Sequence, residues 1–156
     1  IFSRCSIDLL NQFIIEPHKL EELKDAKGRL WVNDTKATNI DASLQALARY
    51  DGFKIHIILG GDDKGVSIEK VVARAAKQGA TIYAIGSNCD DIEKMGNKFG
   101  AKVFNAKELY NAVNLIDKEM NIGDVALLSP ACASLDQFSS YAHRGDKFKE
   151  FIAKII

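Results

Sequence analysis

Residues 55–85 read IHIILGGDDKGVSIEKVVARAAKQGATIYAI, and this stretch decides the fold. Ile55 to Leu59 is a short apolar run ended by Gly60-Gly61. Ile68, Val71, Val72 and Ala75 then recur at helical spacing, Gly79 closes that helix, and Thr81 to Ile85 is a second apolar run. Runs of four to six residues that are apolar on both faces predict strands covered on both sides. A helix between two such strands predicts a parallel pair joined by a right-handed crossover.

Working outward, the unit repeats its logic without repeating its sequence. Downstream, the pattern predicts a helix over Asp90–Phe99, a short strand Lys102–Phe104, a helix Leu109–Met120, a strand Val125–Leu128 and a last helix Tyr141–Ile155. Asn88 and Asn105, each with an acid three residues on (Asp91, Glu108), read as N-caps, while Gly52, Gly79 and Gly100 read as helix ends. Upstream, Leu44, Leu47 and Tyr50 mark a helix. Leu20–Leu23 and Arg29–Asn33 flank Lys27-Gly28 as a hairpin, and Ile7, Leu10, Phe13 and Ile14 share a helix face before Pro17. The expected architecture is α/β: a doubly wound, mostly parallel, Rossmann-like sheet with an antiparallel edge hairpin.

Bulk composition excludes several classes. The 156 residues carry 21 basic and 21 acidic side chains, so no overall charge favours nucleic acid or an anionic membrane. Cys5, Cys89 and Cys132 form no CxxC and stand at no metal spacing from histidine; reduced thiols in a cytoplasmic protein and no metal site are expected. No apolar run approaches the roughly 20 residues of a membrane helix, and Arg4, Asp8 and Glu16 interrupt the first segment where a signal peptide stays apolar. The chain begins with Ile1 inside an amphipathic pattern, which reads as a cut through a larger protein.

In an open parallel sheet ligands gather at the carboxyl ends of the strands, which directs attention to the loops leaving Asn33, Leu59, Ile85 and Leu128. The first, Asn33-Asp34-Thr35-Lys36-Ala37-Thr38-Asn39, places an acid, an ammonium and two hydroxyls at a helix start. Thr38 or Asn39 caps that helix with Asp41 in its first turn, whereas Asp34 and Lys36 together suit a ribose hydroxyl and a phosphate. The second, Gly60-Gly61-Asp62-Asp63-Lys64-Gly65, matches neither GxxxxGK[ST] nor GxGxxG; its glycines permit close approach and Lys64 supplies a fixed positive charge. The third, Leu128 to Phe138, offers Ser129, Ser134 and exposed amides to a carboxylate. Cys132 between alanines reads as a small buried thiol and His56 as a packed strand residue, while His18 beside Lys19 suits a nucleotide.

At these loops the sequence resembles the Mur ligases, within them the D-glutamate-adding branch. NDTKATN (33–39) is similar to that branch's NDSKATN, GGDDK (60–64) to its GGxxK loop, LSPACASLDQF (128–138) to its C-terminal signature, and Tyr141 with Arg144-Gly145-Asp146-Lys147-Phe148 to its F-x-x-RG-x-x-F segment. The order agrees over most of the chain. The resemblance implies a cytoplasmic, three-domain, ATP-dependent ligase of peptidoglycan synthesis that joins D-glutamate to UDP-N-acetylmuramoyl-L-alanine through an acyl phosphate. This chain would supply the third domain over residues 17–156, with residues 1–16 as the tail of the ATP domain or an interdomain helix.

By position, the resemblance implies nucleotide contacts at Asp34, Lys36, His18 and Lys19, and amino-acid contacts at Thr38 and Lys64 for one carboxylate and Ser134 and Tyr141 for the other. No catalytic residue is implied in this domain alone. ATP with Mg2+ would be held mainly by the central domain, so the isolated chain is expected to be inactive and to give negligible heat with ATP. Lys19 stands where the family has arginine, replacing a planar fork with a point charge, and Tyr141 stands for phenylalanine. A DNPR-like motif of the diamino-acid-adding branch is absent from the sequence. The competing readings are a stand-alone doubly wound module that binds a small anionic metabolite, and an interaction domain working through its surface. The first does not account for three signatures in one family's order, and the second does not account for polar residues concentrated at one rim of the sheet.

Overall fold

The structure, a computed structural model, describes residues 16–156. The helix expected around Ile7 to Ile14, and with it Cys5, lies outside the described residues.

Within them the chain runs β1 (Glu21–Lys24), β2 (Leu30–Asn33), α1 (Ile40–Arg49), β3 (Ile55–Gly60), α2 (Glu69–Lys77), β4 (Thr81–Ile85), α3 (Cys89–Lys98), β5 (Lys102–Lys107), α4 (Leu109–Glu119), β6 (Val125–Leu128) and α5 (Tyr141–Ala153). The strands form one sheet in the order β1-β2-β6-β3-β4-β5. β1 pairs antiparallel with β2, and every other pair is parallel. β3, β4 and β6 are buried along their whole length because helices cover both faces.

Alternate strand residues feed two cores, as the period of two requires. Ile55, Ile57, Leu59, Ile82 and Leu127 meet α1, α2 and α3, while Trp31, Ile58, Tyr83 and Leu128 meet α4 and α5. β6 therefore lies between β2 and β3 but leads to a helix on the other face. That reversal opens a crevice at the carboxyl ends of β2, β6 and β3, the strands that precede the three loops singled out above.

The edge hairpin is tied by Asp25. One of its oxygens accepts from the amides of Lys27 (2.8 Å) and Arg29 (3.0 Å), the other from Trp31 Nε1 and Arg29 Nε (both 2.8 Å). Arg29 continues to Asp117 of α4 at 2.5 Å, locking the edge to the sheet's helical cover.

Two capping expectations are corrected. Asn105 lies inside β5, opposite Ala84; a register irregularity after that pair sets Lys107 opposite Ile85, so the strand runs past Asn105 and Glu108 takes the N-cap position of α4. Asn88 stands at the N-cap of α3, but its side chain makes no capping bond. Asn39, by contrast, caps α1 through Ala42 N at 2.9 Å.

Candidate functional site

Backbone hydrogen bonds sew the rim loops together. Asp34 N donates to Leu128 O (2.8 Å), Ala131 N to Ala37 O (2.9 Å) and Gly60 N to Pro130 O (3.0 Å), while Asp62 and Ala133 exchange two bonds of 2.9 Å. The segment after β6 thus bonds to the loop after β2 on one side and the loop after β3 on the other. Buried amides and carbonyls need partners, and here each loop supplies them to its neighbour, so the rim is one framework.

Thr38 and Lys64 line the same groove of about 850 Å³, together with Asp41, Val66, Lys70 and Phe99. Both are exposed, and among the described residues Lys64 forms no ion pair. Ser134 does not line this groove; it is buried directly after the Asp62–Ala133 bridge. Tyr141 lies on the other side of the first loop, its ring edge-on to His18 with centroids 6.3 Å apart and its carbonyl accepting from Thr35 Oγ1 at 2.9 Å.

The residues matched to nucleotide contacts occupy one corner. Lys36 N donates to His18 O at 3.0 Å, Lys36 Nζ pairs with Glu16, and Lys19 is exposed beside them. Asp34 is 4% exposed, with Oδ1 accepting from Leu20 N (3.1 Å) and Oδ2 from Ser129 Oγ (2.8 Å). Its carboxylate is an internal strut between this corner and the loop after β6.

Burial pushes the Asp34 carboxyl up to about 6 from its ordinary 3.8, against the Ser129 and Leu20 donors and the charge of Lys19. An acid with a raised folded pKa binds more protons folded than unfolded between those two values, so stability falls as pH rises from about 4 to about 6. Asp34→Asn removes that slope. In urea titrations of this chain at stepped pH, the variant is expected to gain on the wild type by up to about 3 kcal/mol across the window and to hold a constant difference above it. A difference independent of pH would contradict the burial account.

Sequence reasoning gave three contributors no role at this rim, reading Asn88 only as a helix cap. Arg144 is 1% exposed; Nε donates to Thr35 Oγ1 (2.7 Å), Nη2 to Thr35 O (2.8 Å) and Nη1 to Cys132 O (3.1 Å). Burial lowers it to about 10, which leaves it a cation at neutral pH behind the rim. Ser87 and Asn88, after β4, hold the Gly61 peptide: Ser87 Oγ donates to Gly61 O (2.9 Å) and Gly61 N donates to Asn88 Oδ1 (3.0 Å). Gly86 was the available signal. A Cβ there would meet Gly61 N at 2.6 Å and Asp136 Oδ2 at 2.8 Å, so the two loops touch through glycine backbone.

Cys132 is 1% exposed with its thiol pushed up to about 11, chiefly by burial, and carries no nucleophile chemistry at neutral pH. His56 is buried between Tyr83 Oη (2.9 Å) and Asp124 Oδ2 (3.0 Å), near the amino end of β3 and away from the rim.

Comparisons with known proteins converge on one family. The family model described as "Mur ligase, glutamate ligase domain" matches residues 19–132. A UDP-N-acetylmuramoylalanine--D-glutamate ligase of Campylobacter jejuni (strain 81-176) is 50% identical over 155 residues, covering 99% of this chain and 39% of that protein. The Helicobacter pylori (strain 26695) protein of the same name is 48% identical over 145 residues, covering 93% of this chain and 34% of its own length. Among solved structures, the UDP-N-acetylmuramate-alanine ligase of Thermotoga maritima superposes with a TM-score of 0.56 at 14% identity, over 92% of this chain and 31% of that one. A murein peptide ligase of Psychrobacter arcticus gives 0.57 at 10%, over 89% and 30%. These two share the fold. The chain spans about 39% of the length of the first of the curated relatives.

Proposed function

The chain belongs to the Mur ligase family, as a glutamate ligase domain, and on that premise we propose that it grips D-glutamate for an ATP-dependent amide ligase of peptidoglycan synthesis. In this reading the rest of a longer protein binds UDP-N-acetylmuramoyl-L-alanine and phosphorylates its carboxylate. The amine of D-glutamate attacks the acyl carbon, the C–O bond to phosphate breaks, inorganic phosphate leaves and the amine gives up a proton. This chain contributes position: it holds a dianion by its two carboxylates and leaves the amine free.

One observation carries the reading: Thr38 and Lys64 share a groove whose walls are fixed to each other by the Ala37–Ala131, Gly60–Pro130 and Asp62–Ala133 bonds. Thr38 and Lys64 take one carboxylate, and Ser134 with the segment at Tyr141 takes the other. His18, Lys19 and Lys36 face the nucleotide, Lys36 exchanging Glu16 for phosphate. Asp34 supports that corner from behind, since direct contact with a ribose needs the Leu20 amide to release its oxygen.

Among the described residues no three His, Cys, Asp or Glu side chains converge to hold a metal ion, and no magnesium ligand is assigned to this chain. ATP with its Mg2+ is held mainly outside it, and calorimetric titration of the isolated chain with ATP is expected to give negligible heat; tight binding would count against the division of labour. Among the described residues no helix is long and apolar enough to cross a membrane. The proposed setting is the cytoplasm, where ATP and the UDP-linked acceptor are available.

The test is phosphate release by the complete ligase over a panel of amino acids: D-glutamate, L-glutamate, D-aspartate and meso-diaminopimelate. Turnover with D-glutamate is expected to exceed the others at least about 100-fold in kcat/KM, a floor below the roughly 10,000-fold by which a site can reject a partner that leaves its polar groups unpaired. Preference for a diamino acid would overturn the reading.

A further inference from the structure

Lys64 has a carboxylate immediately before it, Asp63, and another before that, Asp62. An exposed ammonium that follows two acids has carboxylates close enough to compete for it, and a paired lysine is a poorer site for a ligand carboxylate. The structure shows where each acid is engaged. Asp62 Oδ1 accepts from Lys64 N at 2.9 Å, and Asp63 Oδ1 accepts from Gly65 N at 2.9 Å. These two turns hold Lys64 at φ +53°, a left-handed conformation that a non-glycine residue keeps only when its surroundings impose it.

The second oxygen of Asp63 is accounted for by Asn88. Because Gly61 N donates to Asn88 Oδ1, the amide orientation is fixed, and Nδ2 faces Asp63 Oδ2 at 3.3 Å and Cys132 Sγ at 3.5 Å. Asn88 is 7% exposed and occupies the N-cap of α3 without capping it. A side-chain cap at this position would ordinarily stabilise the helix. Here the side chain is directed across the rim instead, onto both ends of the Gly61–Asp63 segment.

We propose that Asn88 is a positioning residue for the amino-acid site: by occupying Asp63 it keeps that carboxylate off Lys64, so that the ammonium remains available to the carboxylate of the incoming amino acid. The inference rests on the function proposed above. Asn88 touches no substrate and acts through Asp63 and Lys64.

The experiment is steady-state kinetics on the complete ligase. Asn88→Ala releases Asp63 Oδ2 to Lys64 and is expected to raise KM for D-glutamate about fivefold, the effect of one exposed ion pair near the top of its usual range, with kcat and KM for ATP within about twofold of wild type. Asn88→Asp keeps the volume and the acceptor for Gly61 N but loses the donor to Asp63, and the same direction is expected. Asp63→Asn, which keeps an acceptor for Gly65 N and removes the charge, is expected to restore KM when added to Asn88→Ala; a merely structural loss would instead accumulate. An unchanged KM in both Asn88 variants, or failure of Asp63→Asn to restore it, overturns the proposal. Lys64→Ala separates the two levels. If it raises KM for D-glutamate while the Asn88 variants do not, this inference alone fails; if it leaves KM unchanged, the site assignment fails with it.

Discussion

Replacing Lys64 by alanine in the complete ligase is expected to raise KM for D-glutamate roughly 10- to 100-fold, the range of a hydrogen bond to a charged group. Geometry sets this effect before electrostatics does. Lys64 ends a loop whose preceding peptide is clasped by Ser87 and Asn88 and whose middle is bridged to Ala133. Its ammonium therefore projects from a fixed base into the groove shared with Thr38. Removing the charge removes the affinity, and some loss in kcat follows because the amine is then less well aimed. Lys64→Arg is expected to recover only part of the affinity, since a bulky planar fork on a three-carbon stem does not reproduce a compact point charge on a four-carbon one. Initial-rate kinetics with D-glutamate varied at saturating ATP measure both effects; an unchanged KM would contradict them.

Gly145→Ala is the second large effect, and its sign opposes helix propensity. Gly145 lies within α5, where alanine would ordinarily be favoured by about 1 kcal/mol. A Cβ at that position, however, would meet Thr35 Cγ2 at 2.6 Å and His18 Nδ1 closer still. Neither neighbour can yield cheaply. His18 is hydrogen-bonded to Asn33 Nδ2 at 2.9 Å, and Thr35 is held by Arg144 and the Tyr141 carbonyl. Overpacking of this kind costs about 1–3 kcal/mol, so thermal unfolding of this chain is expected to shift down by roughly 2–12 °C. A higher melting temperature would show that α5 is free to move off the first loop and that the rim is looser than described.

Most of the fold was legible because its signals are local. Ile55–Leu59, Thr81–Ile85 and Val125–Leu128 are apolar on both faces, and Gly79 and Gly100 stop their helices where expected, both with left-handed backbones. The readings that departed depended on partners elsewhere in the chain. Asn105 has the composition of a cap, yet the register of β5 against β4 keeps it in the ladder. Asn88 holds the cap position while its side chain bonds residues 27 and 25 positions earlier. Asp34 shows the same limit from the side of chemistry. Sequence suggests an acid near a ligand, whereas burial and the Ser129 contact, which depends on the folded chain, make it an internal brace, and Arg144, to which sequence assigned no role, braces Thr35 and Cys132 behind the rim. Motif spacing located the rim, and only tertiary packing distinguishes the side chains that face the groove from those that hold its walls.

The most direct test is a crystal structure of the complete ligase with D-glutamate and a non-hydrolysable ATP analogue. One carboxylate of the amino acid is expected within hydrogen-bonding distance of Lys64 Nζ and Thr38 Oγ1, its amine turned away from this chain. D-glutamate seated elsewhere, with Lys64 and Thr38 contacting only solvent, would contradict the account.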